Sequence, residues 1–187
     1  MSFNVLVIPE DPTYNGYILK PLAEAILADA GKPRAKVDVL TSPRLNGYDQ
    51  ARTAIKGRMT DSYRHYDLWL FFPDADRAAP DAMRALENEL AEKNIKLLCC
   101  PAQPEVEIYA CVAHRDKLGV PWQTARTERD MKEKYFTPLI ARHGDPRAAG
   151  GGRAELAKAG LTPRSALYQL CPELAGLRDR IENLFPS

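Results

Sequence analysis

Asp67–Arg77 reads DLWLFFPDADR, and this stretch decides the fold. Leu68 to Phe72 are apolar without interruption, and Pro73 closes the run. An aromatic-rich apolar run of this length, stopped by a proline, has the pattern of a strand buried on both faces. Asp74 and Asp76 follow at its C-terminal end. In open α/β sheets, ligands bind in the crevice beyond the carboxyl ends of the strands. Two acids placed there repel each other unless a cation, a proton or a basic neighbour offsets them. The spacing therefore predicts either a divalent-metal site or an acidic turn in which Asp74 or Asp76 caps a helix starting near Pro80.

Outward from this strand the chain alternates strand and helix patterns. Phe3–Ile8 (FNVLVI) is a second apolar strand, closed by Pro9-Glu10-Asp11-Pro12. Tyr17–Ala30 carries Ile18, Leu22, Ala25 and Ile26 at helical spacing, with Gly31 as its stop. Ala35–Leu40 reads as a strand and Asn46–Arg64 as an exposed, mixed-charge helix. Asp81–Lys93 is amphipathic, with Met83, Leu86 and Leu90 inward, and Ile95–Cys100 is a fourth strand. This alternation predicts βαβ units and a mainly parallel sheet covered by helices. Residues 1–113 form that α/β domain in this reading, and residues 114–187 a helical extension packed on it. In the extension, Met131, Tyr135, Phe136, Leu139 and Ile140 make one apolar stripe, and Gly144–Gly152 is a surface loop. Leu174, Leu177, Ile181, Leu184 and Phe185 make a second stripe within a helix over Glu173–Leu184.

The chain has 187 residues, with 45% hydrophobic and 27% charged residues, ordinary for a globular protein. No stretch approaches the roughly 18 uncharged apolar residues of a membrane span. The N-terminus runs straight into a strand pattern, without the basic flank and cleavage site of a signal peptide. Both point to a cytoplasmic protein with no membrane partner. Cys99, Cys100, Cys111 and Cys171 form no CxxC pair and read as buried thiols. His65, His114 and His143 are scattered. Residues 1–113 carry 13 Lys and Arg against 16 Asp and Glu, a balance of −3. Residues 114–187 carry 13 against 9, a balance of +4. An acidic front and a basic back suit a metal centre beside an anionic substrate such as nucleic acid.

Glu10 after the first strand, Asp74-x-Asp76 after a later one, and Glu107 within PEVEIYACV stand in an order that resembles the toprim domain. Toprim is the catalytic module of topoisomerases, primases and overcoming-lysogenization-defect nucleases. The PEVEIYACV segment is similar to an acidic-aromatic motif of small toprim-like proteins encoded beside ATPases in bacterial defence loci, with Tyr109 in the place of a tryptophan. The resemblance covers about residues 3–113, and the glycine usual after the first glutamate is replaced by Asp11-Pro12. It implies a metal-dependent nuclease of antiviral defence in which Asp74 and Asp76 bind Mg²⁺ or Mn²⁺. Glu10 would be ligand or general base, and Glu107 a further metal acid. Glu105 and Glu107 also suit an ordinary helix start, where acids are favoured.

Oxygen-only donors at these positions match a hard cation, which would act on a phosphodiester. Lys20, Arg77, Arg115 and Lys117 are the basic residues nearest the motifs and the candidates for holding nucleic-acid phosphates. Two other readings compete. A receiver-like phosphorylation module also sets an acidic pair, Glu10-Asp11, against an aspartate, Asp74. It expects a Ser or Thr after the fourth strand, where this chain has Cys99-Cys100-Pro101. The third reading is a non-catalytic subunit that docks on an ATPase partner. The chain itself has no GxxxxGK[ST] phosphate loop. A homo-oligomer is also among the partners this reading admits.

Overall fold

The computed structural model describes residues 2–76 and 78–186. Among them, β1 (Asn4–Pro9), β2 (Lys36–Val39), β3 (Leu68–Phe72) and β4 (Leu97–Cys99) form one sheet in the order β2-β1-β3-β4. Every pairing is parallel. The five residues of β3 are all fully buried, as a run with no polar face requires. Successive side chains of a strand point to opposite faces. Accordingly Leu68, Leu70 and Phe72 join Val5 and Val7 in one core, while Trp69 and Phe71 join Leu6 and Ile8 in another.

On the first face lies α1 (Asn15–Asp29), burying Ile18, Leu19, Leu22 and Ile26. On the second lie α2 (Tyr48–Lys56), α3 (Met59–Ser62) and α4 (Pro80–Glu92). The single exposed helix expected over Asn46–Arg64 is therefore two helices, and it is not wholly exposed. The chain breaks around Gly57, and Ala51, Ala54, Ile55 and Met59 are buried against the sheet. Their small and aliphatic side chains form the apolar face that covers Trp69 and Phe71. The polar majority of the segment masks that face.

Beyond β4 come the single turn α5 (Ile108–Cys111), a 3₁₀ segment Val112–Lys117 and α6 (Trp122–Thr127). A π-helical segment, Lys132–Phe136, runs into α7 (Thr137–His143). A 3₁₀ turn over Ala149–Gly152 then leads to α8 (Arg153–Ala159), α9 (Arg164–Leu170) and α10 (Pro172–Leu184). Phe136, Leu139, Leu156, Leu167, Leu174, Leu177 and Ile181 share one continuous apolar core with β1, β3 and α1. Arg126 of α6 grips Glu173 of α10 through two parallel hydrogen bonds of 3.0 and 2.8 Å. Leu184, expected in the buried stripe of α10, is 38% exposed, and Phe185 instead packs edge-on against Phe3. No helix among the described residues is long and apolar enough to cross a membrane.

β1 departs towards β2 through α1 on one face, and β3 departs towards β4 through α4 on the other. The topological switch point therefore falls between β1 and β3. There the carboxyl ends of adjacent strands open a crevice.

Candidate active site

Pro9 and Phe72 are paired across β1 and β3, so Glu10 and Pro73-Asp74 leave the sheet side by side. The segment after β3 is fastened to the segment after β4. Ala102 N–H donates to Pro73 O at 2.8 Å, and Ala75 N–H reaches Ala102 O and Pro104 O, both at 3.0 Å. This fixes the Asp74 backbone in an extended bridge to Ala102. Asp74 N–H then donates to Glu10 Oε2 at 3.0 Å, and Val106 N–H donates to Asp74 Oδ1 at 3.3 Å. Glu10 Oε1 also lies beside the start of α2, since a Cβ built on Gly47 would sit 3.9 Å from it. A helix N-terminus is a favourable neighbour for a carboxylate.

Glu105 and Glu107 enter from the loop before α5. Glu105 Oε1 accepts the Lys132 N–H at 2.8 Å, and Glu107 Oε1 lies 2.9 Å from Lys132 Nζ. Glu107 is almost fully buried, at 1% exposure, so this lysine is what makes its charge tolerable. Lys132 belongs to the π-helical segment, whose widened turn carries its backbone and its side chain to the same pair of acids.

The acids outnumber the base, and their titration reflects it. Burial, then the charges of Glu10, Glu107 and Glu105, push Asp74 up to about 8. Glu105 is pushed up to about 7, chiefly by burial, with Glu107 adding to it and the Lys132 N–H opposing it. Burial opposes the charge of Lys132, but Glu107, Glu105 and Asp11 outweigh it and raise its pKa. Removing negative charge from this centre is thus favourable, whether by protons or by a bound cation.

Of the residues expected at the site, Glu10 meets Asp74 at its backbone N–H, and Glu107 is near enough for its charge to act on Asp74. Asp76 is exposed in the turn and takes no part in the hydrogen bonds joining Glu10, Asp74 and Glu105. Neither acid caps the following helix: the N-cap of α4 is Ala79, with no side-chain hydrogen bond. Lys20 is exposed within α1. Lys117 is exposed beside His114, whose pKa is lowered by burial and by that lysine, and Arg115 turns back onto Val112 O. Arg77 lies outside the described residues. Among the described residues, no three His, Cys, Asp or Glu side chains stand in a metal-ligating arrangement. Glu10 faces a backbone N–H and Glu107 faces Lys132 instead.

Sequence reasoning missed Lys132 and Tyr48. Lys132 sits in a polar stretch, ERDMKEKYF, and nothing in its spacing marks it out from neighbouring charges. Asp11 accepts the Thr13 N–H at 2.8 Å and so shapes the turn after β1. Tyr48 begins α2 with its hydroxyl buried and unpartnered, near Arg52 and Glu10.

Comparison with family models, curated proteins and solved structures found no match to this chain.

Proposed function

We propose that the chain is a toprim-like, Mg²⁺- or Mn²⁺-dependent phosphodiesterase acting on nucleic acid, with its centre at Glu10, Asp74 and Glu107. The observation that carries this reading is the Glu10–Asp74 contact at the switch point between β1 and β3, with Glu105 and Glu107 converging on it. The donor type suits a hard divalent ion, since every acid offers oxygen, but the three carboxylates do not stand in a ligating arrangement as they are: to grip an ion, Glu10 would have to leave the Asp74 N–H and Glu107 would have to leave Lys132. Glu10, Asp74 and Glu107 would hold the ion, and Asp76, exposed in the turn after Asp74, would be open to join them. When bound, the ion supplies polarisation of a phosphoryl oxygen and a water of lowered pKa. The chain's own residues must lose protons to bind it, and Asp74 and Glu105, the acids with raised pKa values, hold theirs longest as pH rises. Lys132 balances Glu107, and if Glu107 held an ion the Lys132 ammonium would be available to a phosphate oxygen. In this reading a separate ATPase of a defence system supplies any nucleotide-driven step.

The test is nicking of supercoiled plasmid and of RNA with Mg²⁺, Mn²⁺ or chelator. Cleavage is expected only with a divalent ion and is lost in Asp74→Ala, while the circular dichroism spectrum is unchanged. Equal cleavage by Asp74→Ala removes the assignment.

Lys132 favours a second reading. The strand order matches the first four strands of receiver-like folds, in which a lysine stands beside an aspartate and an acidic pair. Cys100-Pro101-Ala102 supplies no hydroxyl where such a module needs one. Labelling of Asp74 by a small acyl phosphate in Mg²⁺ would favour this reading over the nuclease.

A further inference from the structure

We propose that Tyr14 and Tyr17, backed by Arg153 and the Gly150–Gly152 turn, form a stacking platform for unpaired nucleotide bases beside the acidic centre. The proposal deepens the phosphodiesterase reading and rests on it for the identity of the polymer. Tyr14 and Tyr17 are 48% and 40% exposed, the two most exposed large apolar side chains among the described residues. They lie in and just after the loop that carries Glu10 and Asp11 away from β1.

Each ring is supported from behind by the turn that leads into α8. The Arg153 guanidinium lies 4.3 Å from the Tyr14 ring centroid and 5.4 Å from that of Phe136. It is steered there by a 2.8 Å hydrogen bond from Nη1 to Gly150 O, while its Nε is buried without a partner. The Gly150 backbone presses on Tyr17 so closely that a Cβ would fall 2.5 Å from the ring. Its φ of 72° disfavours any other residue as well. Phe136 ends the π-helical segment that starts at Lys132, the partner of Glu107. One π-helical segment thus runs from the partner of Glu107 to the ring that underlies Arg153. Arg44, which reaches Thr13 Oγ1 at 3.4 Å, places a further cation beside the same loop.

Exposed aromatic faces with arginine behind them accept bases by stacking, whatever the base, provided the base is unpaired. In a duplex those faces are occupied by neighbouring pairs. The platform therefore selects single-stranded segments, and Arg44 offsets the phosphates that enter next to the acids.

The test is fluorescence anisotropy in Mg²⁺ with labelled oligo(dT), oligo(U) and a duplex of equal length, on an Asp74→Asn background to block cleavage. Tyr14→Ala and Tyr17→Ala are each expected to weaken single-strand binding about tenfold, and to leave duplex binding unchanged. Tyr14→Phe and Tyr17→Phe, which keep the ring and its packing, are expected to bind like the parent. The tighter of oligo(dT) and oligo(U) names the polymer. The platform is overturned if the double alanine variant binds single strands as the parent does, if it loses single strands and duplex equally, or if the parent binds no single strand. Tyrosine-dependent binding without any metal-dependent cleavage by the unsubstituted protein keeps the platform and removes the phosphodiesterase. Cleavage that needs Asp74 but not the tyrosines does the reverse.

Discussion

Asp74 is the residue on which the centre's chemistry turns, because its backbone accepts a fixed position while its carboxyl is surrounded by other acids. Its pKa in the folded chain, about 8, lies above the ordinary value of 3.8. The native state therefore binds more protons than the unfolded chain between those values, and stability falls as pH rises through that window. The contribution is fully present below about pH 4 and is lost as pH passes about 8. Asp74→Asn, which cannot ionise, is expected to flatten that decline and to be more stable than the parent near pH 8, as measured by urea unfolding at a series of pH values. A parent curve that rises between pH 5 and 8 for reasons traced to Asp74 would contradict the assignment of its burial. The same ionisation governs cation uptake: Mg²⁺ affinity by calorimetry should climb as pH passes through about 7 to 8, where Glu105 and Asp74 lose their protons. Lys132→Met should cost about 1–3 kcal/mol, because Glu107 then keeps a buried charge with no cation beside it. Glu107→Gln in the same background should return part of that loss.

At the scale of elements, β3 is the strand whose sequence and environment agree most closely. Five apolar residues, no polar face and a proline stop leave it no position other than the middle of a covered sheet. Phe72→Ala is expected to destabilise by about 3–5 kcal/mol, since its ring is fully buried and neighbouring elements hold the cavity open. Chemical denaturation reads it directly, and a loss below about 1 kcal/mol would show that the site collapses without cost. Helices with a clean apolar stripe, such as α4, were readable to within a residue. Those with short or mixed faces were not. α9 (Arg164–Leu170) has one fully buried side chain, Leu167, and so leaves almost no period in the sequence. Two of the five buried residues of α2 and α3 are Ala51 and Ala54, whose small side chains carry little apolar signal although they pack well. The Arg126–Glu173 pair joins α6 to α10 across a long sequence gap, which no local pattern announces.

At the scale of the whole molecule, the helices after residue 113 cover the face formed by Val5, Val7, Leu68, Leu70 and Phe72. A chain cut after Ala113 is expected to expose that apolar face and to aggregate or bind a hydrophobic dye, readable by size-exclusion chromatography and dye fluorescence. A soluble, cooperatively folding fragment 1–113 would show instead that α1 alone shields the sheet. The sequence by itself determined the strands, the parallel α/β class and the acids at strand ends, because burial on both faces and proline stops are local properties of the chain. It also placed Glu10 and Asp74 on the same edge of the sheet. Only the tertiary structure decided that β1 and β3 are neighbours, that Glu10 meets the Asp74 backbone, that Asp76 is exposed, and that Lys132 joins the centre. Strand order and the meeting of distant side chains depend on how helices cover the two faces. That cover is set by the sum of many packing contacts, which no single stretch of sequence contains.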